Sequence, residues 1–185
     1  MVLVVAVALF SGACAAPATP TDTPIPPGEP AATDTVAPPV QFEDPYAYCA
    51  AVGTIGSADA RYTGPELPER LVEVMVAQGI VTADAPPEFQ KNAVWRCANK
   101  RVLICHFGAN LPCLEKADIS TTPAPAVVDF CKANPTSDVV PADVTGRATV
   151  YEWKCAQGKP ETVKQVLQVD AQGFLADFWH ELPAK

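Results

Sequence analysis

Seven cysteines, two histidines and four serines carry most of the reactive chemistry open to this 185-residue chain. Cys97, Cys105 and Cys113 recur every eight residues and His106 adjoins Cys105, so thiolates and an imidazole could be offered to zinc. Structural zinc sites pin two thiolates to one turn through a short Cys-x-x-Cys knuckle, and no such spacing occurs. A Cys105–His106 nucleophile pair meets a different obstacle, because in an oxidising compartment a thiol with several partners is consumed in bridges. Ser11, Ser57, Ser120 and Ser137 all lie outside a Gly-x-Ser-x-Gly elbow. Gly-x-Gly-x-x-Gly and P-loop patterns are absent. Asp138 and Asp143 are a carboxylate pair by spacing only, which does not make a glycosidase. His106 and His180 read as hydrogen-bonded or exposed side chains rather than general bases. The sequence predicts no catalytic residue, no metal and no cofactor.

Cysteine parity gives a better lead. Residues 1–13, MVLVVAVALFSGA, are apolar apart from one serine, and Cys14 follows. The run is too short to cross a bilayer, which takes about 20 apolar residues, but it suits the apolar core of a signal peptide. Ser11-Gly12-Ala13-Cys14 resembles the lipobox of bacterial lipoproteins. That resemblance implies cleavage before Cys14 and a diacylglycerol on its thiol, anchoring the chain to the bacterial cell membrane or outer membrane. Residues 17–45 hold nine of the 20 prolines, five threonines and five carboxylates. Proline fixes φ and removes amide donors, so 14–45 is predicted to be an extended, solvated linker rising about 3 Å per residue. Such Thr-Pro stretches resemble the tethers of surface lipoproteins.

Setting Cys14 aside leaves Cys49, Cys97, Cys105, Cys113, Cys131 and Cys155, an even set expected to close three disulfides outside the cytoplasm. Six cysteines allow 15 pairings, and spacing does not choose among them. The net charge of −8 and pI near 4.7 exclude nucleic acid as a partner, since phosphate neutralisation needs clustered Lys and Arg. The linker carries −5 of that charge.

Residues 46–185 are expected to form one disulfide-rich domain. Apolar spacing from Leu67 to Gln78, with Pro68 near the start and Gly79 just past the end, predicts a helix. A second helix is predicted after Thr122, stopping near Asn134-Pro135. Ala93–Ala98 and Arg101–Phe107 flank Asn99-Lys100, a hairpin signal. Thr149, Tyr151, Trp153 and Cys155 alternate with Val150, Glu152 and Lys154 and predict a strand with one buried face. Residues 163–169 and 174–180 are predicted to pair around Asp170-Ala171-Gln172-Gly173. The expected class is α+β, a disulfide-stabilised antiparallel sheet of about five strands with two helices on one face.

Trp95-Arg96-Cys97-Ala98 and Trp153-Lys154-Cys155-Ala156 echo one another. In a strand each Trp shares a face with its Cys, so the indole shields sulfur while the basic residue faces out; alternatively two exposed indoles make a ligand platform. Trp153 to Gly158, with Val163, resembles the opening of the membrane-bound C-type lysozyme inhibitor family. Its downstream Ser-Gly-x-x-Tyr loop has no counterpart in residues 164–185, so no inhibitory residue is carried over. The pattern Cys105 to Cys113 with Val144-Thr145-Gly146 and Tyr151-Glu152-Trp153 resembles uncharacterised bacterial envelope proteins. The expected function is a non-catalytic, lipid-anchored binding module whose partner is an envelope protein or glycan, with inhibition of a cell-wall hydrolase as the alternative and a small secreted hydrolase ranked after it. Gly53–Pro65 and the 108–113 loop supply candidate surface, with Tyr62, Asn110, Trp95 and Trp153 as candidate binding residues.

Overall fold

The computed structural model describes residues 40–108 and 110–184. The signal segment, Cys14 and the linker as far as residue 39 lie outside the described residues. The chain is α+β, as expected, but its five strands form two sheets rather than one.

The first sheet grows from a local hairpin. β1 (Ala93–Ala98) pairs antiparallel with β2 (Arg101–His106), closing on Ala98↔Arg101. Asn99 and Lys100 both take positive φ, 52° and 66°, the left-handed pair that matches strand twist in a two-residue turn. β5 (His180–Leu182) then adds to the far side of β2. Against this sheet lie α1 (Pro45–Val52) and α2 (Glu69–Ala77). Asp44 starts α1 by accepting from the amides of Tyr46 and Ala47 at 2.6 and 3.1 Å. The stretch read as linker therefore ends in ordered contacts, including a Phe42↔Tyr62 bridge. Leu71, Val74 and Met75 of α2 meet Tyr48, Val102, Ile104 and Leu182 in the larger of two cores.

The second sheet is the hairpin of β3 (Tyr151–Ala156) and β4 (Lys159–Gln165), covered by α4 (Pro125–Ala133). Trp153 and Cys155 enter a smaller core with Val127, Cys131 and Val140. Two further helices are single turns, α3 (Pro87–Gln90) and α5 (Ala142–Thr145). No helix among the described residues is long and apolar enough to cross a membrane.

β4 corrects the expected pairing. It begins at Lys159 and joins β3, and only one bridge, Val169↔Leu175, survives of the predicted 163–169/174–180 hairpin. The Asp170–Gly173 turn itself forms, with Gly173 at φ 81°. β4 itself is not legible because Lys-Pro-Glu-Thr-Val-Lys-Gln is an exposed edge strand with no apolar face to read.

All six domain cysteines are paired: Cys49–Cys97, Cys105–Cys113 and Cys131–Cys155. Trp95 and Cys97 share the first core and Trp153 and Cys155 the second, so each indole does shelter a bridge. Three disulfides are the chemistry of an oxidising, extracytoplasmic compartment. The loops they close span 48, 8 and 24 residues. Loop-closure entropy gives about 4 kcal/mol for the first, about 3.5 kcal/mol for the third and about 2.5 kcal/mol for the second. Paired Cys→Ala variants should lose stability in that order in urea unfolding. A Cys105→Ala/Cys113→Ala chain that lost more than Cys49→Ala/Cys97→Ala would contradict the entropic account.

Candidate functional site

Successive residues of β1 must leave opposite faces of the sheet. Trp95 enters the larger core, edge-on to Tyr48 and Tyr62 at ring separations of 6.0 and 4.9 Å. Its indole N–H donates to the Glu66 carbonyl at 2.7 Å. Tyr62 reaches this place because Gly64 lies directly over it; a Cβ on Gly64 would come within 2.5 Å of the Tyr62 hydroxyl. That hydroxyl is buried without a partner among the described residues, and burial, with a smaller push from Asp44, raises its pKa.

Arg96 leaves the other face, and here the strand pattern misleads. An outward basic residue is predicted; the side chain is 0% exposed. Its guanidinium donates to the Asp170 carboxylate and to the Gln172 side-chain oxygen. Phe174 and Trp179 flank it, with ring centroids 4.7 and 4.2 Å from the guanidinium carbon. A cation tolerates burial only when paired, and the Asp170–Gly173 turn brings the pairing groups. Asp170 also accepts from the main-chain amides of Gln172 and Phe174 at 2.8 and 3.0 Å, which holds the turn closed. Lys116 caps the arrangement, donating to the Gln172 carbonyl at 2.6 Å and lying 3.4 Å from the Phe174 ring centroid. Lys154, the equivalent of Arg96 in the second Trp-basic-Cys segment, stays partly exposed and pairs with Glu161 at 3.5 Å.

Between these two groups of rings lies a cleft of about 320 Å³ at the edge of β1. Tyr62 and Trp95 form one wall, Phe174 and Trp179 the other, and Leu114, 69% exposed, stands at the rim. Among the described residues Glu66 is the one charged residue lining it. The structure thus brings Tyr62 and Trp95 together. Trp153 is 5% exposed and belongs to the other core, so the two Trp-basic-Cys segments do not make a joint platform. Asn110 stands elsewhere, in an open apolar groove of about 410 Å³ with Val139, Tyr151, Val166 and Phe178. Sequence reasoning missed Phe174 and Trp179 as cleft walls. Their aromatic character after a glycine turn was the available signal.

The titratable groups do not converge on the cleft as an acid–base set. His106 donates through Nε2 to the Phe89 carbonyl at 2.7 Å, and His180 is exposed on β5. Asp59, on the surface, is lowered to about 2 by its hydrogen bonds with Arg61. No group of three or more His, Cys, Asp or Glu able to hold a metal occurs among the described residues. No family model matches the chain, nor does any curated protein or solved structure.

Burial pushes the Asp170 carboxyl up, but the Phe174 amide, the Arg96 guanidinium and the Gln172 amide outweigh it and hold it below its ordinary value. Burial pulls the Arg96 guanidinium down against the hydrogen bond and charge of Asp170. A guanidinium starts so far above neutrality that it remains charged. A depressed carboxyl contributes stability above its unfolded pKa, near about 4, and loses it as pH falls through the folded value. Asp170→Ala should cost about 3–5 kcal/mol, because it strands a cation with no route to water. Arg96→Met should cost less, since the Asp170 side chain is 21% exposed and keeps two amide donors. Urea unfolding of both variants checks the order, and the Asp170→Ala curve should be flatter than wild type below roughly pH 5.

Proposed function

We propose that the chain is a lipid-anchored binding module that works outside the cytoplasm and holds its partner without transforming it. The observation that supports this most is the cleft beside β1, whose walls are aromatic and whose lining among the described residues offers one carboxylate, Glu66, and one serine, Ser57, with no histidine beside it. Concave apolar walls with few polar points suit recognition, whereas catalysis calls for a nucleophile or an acid–base pair aimed at one place. Cleft walls built on strand β1 and pinned by buried Arg96 keep their geometry when a ligand arrives, which lowers the entropy lost on binding.

The anchor rests on cysteine bookkeeping. Six cysteines are consumed in bridges, which leaves Cys14, directly after the small residues Ser11-Gly12-Ala13, as the thiol available for a diacylglycerol. The Pro/Thr-rich linker then sets the domain away from the lipid surface.

Two measurements test the reading. Cys14→Ser should move the full-length chain from the membrane fraction to the soluble fraction and abolish incorporation of labelled fatty acid; retention of both properties would remove the anchor. Leu114→Glu places a charge on the rim without touching the core, and should weaken saturable binding to isolated envelopes about tenfold by losing one apolar contact. Unchanged binding would remove the cleft as the recognition surface.

A further inference from the structure

The main chain at the base of the cleft carries more information than its rings. Cys97 turns both its N–H and its C=O away from β2, to Ile55, at 3.1 and 3.0 Å. In an antiparallel ladder alternate residues face outward in this way, so Trp95 also turns both groups away from β2. The chain that pairs with Cys97 leaves the edge after Ile55, and Gly56 passes into the cleft wall instead. Among the described residues neither main-chain group of Trp95 has a hydrogen-bond partner. One donor and one acceptor therefore stand ready at a strand edge, inside a cleft whose walls rise on both faces of that strand.

We propose that this edge takes an extended polypeptide segment, which adds to β1 as a further strand and pairs with the N–H and C=O of Trp95. The proposal rests on the binding reading above and names its ligand class. Strand addition draws affinity from the main chain and specificity from pockets for alternate side chains. Here the alternate side chains meet Tyr62 on one face and Phe174 with Trp179 on the other, so the centre of the segment is apolar on both sides. Glu66 is exposed, lines the cleft and has no ion pair among the described residues. Among the described residues no basic side chain lines the cleft to balance it, so the complementary segment carries a Lys or Arg at that end. A sugar ring could stack on one aromatic wall and offer hydroxyls to Trp95, but it presents no second apolar face to the opposite wall at strand spacing.

Random decapeptides displayed on phage, selected on the full-length chain and counter-selected on Leu114→Glu, are the probe. The proposal expects recovered sequences with adjacent apolar residues and a basic residue toward one end. A synthetic peptide from that set should slow amide hydrogen exchange at Trp95 about tenfold or more. Methylating alternate peptide amides should abolish binding in one register and spare it in the other. Peptides that bind while Trp95 exchange stays unchanged would overturn the proposal. So would the absence of any selected peptide in a chain whose envelope binding is still weakened by Leu114→Glu, and chitohexaose binding with that same sensitivity would identify a glycan instead. Envelope binding indifferent to Leu114→Glu would sink the broader reading separately, and Trp95 exchange would then judge strand addition by itself.

Discussion

The buried guanidinium of Arg96 is the constraint around which the cleft is arranged. A strand near the middle of the chain and a turn near its end share one ion pair, across 74 residues of sequence. The turn closes on Asp170, and the same carboxylate neutralises the cation, so local shape and long-range attachment use one side chain. Phe174 and Trp179 complete the enclosure by lending their ring faces to the charge. With this pairing in place the second wall of the cleft has a fixed position relative to the first. Without it that wall would be a surface loop held by β5, the Val169↔Leu175 bridge and the bonds of Lys116 and Ala117 to the turn.

The sheets divide the labour. The larger core, under α1 and α2, gives β1 a rigid backing and presents its outer edge. The smaller core, under α4, is closed by its own bridge and hairpin, with Phe130 and Tyr151 packed beside Trp153. Duplicated Trp-basic-Cys segments thus serve the same packing purpose twice, while only one of them borders a cleft. The difference lies in the basic residue: Arg96 has a carboxylate brought to it and is swallowed, and Lys154 has a neighbouring glutamate at the surface and is not.

Some local features were legible in the sequence to within two or three residues, whereas α1, α3 and α5 were not. Asn99-Lys100 announced its hairpin because a left-handed two-residue turn needs particular residues at adjacent positions. α2 and α4 followed from apolar spacing and proline punctuation, and Gly173 marked its turn. Long-range pairing was not legible. Nothing adjacent to Arg96 in sequence reveals that Asp170 will reach it, so alternation alone placed it outside. β4 escaped for a related reason, since a strand exposed on both faces carries no hydrophobic rhythm. Of the candidate binding residues, Tyr62 and Trp95 share the cleft because both serve the larger core; Asn110 and Trp153 were chosen on loop composition and local echo, which say nothing about proximity.

The order of the bridges has a consequence for biogenesis. Of the six bridged cysteines the first joins the second, the third the fourth and the fifth the sixth, so no bridge straddles another. A chain threading outward from its amino end can therefore oxidise each couple as soon as the later thiol emerges. No correct link has to wait for, or be undone by, sulfur still inside the translocation channel. Maturation by this route needs an oxidant at the exit and has little use for a shuffling catalyst.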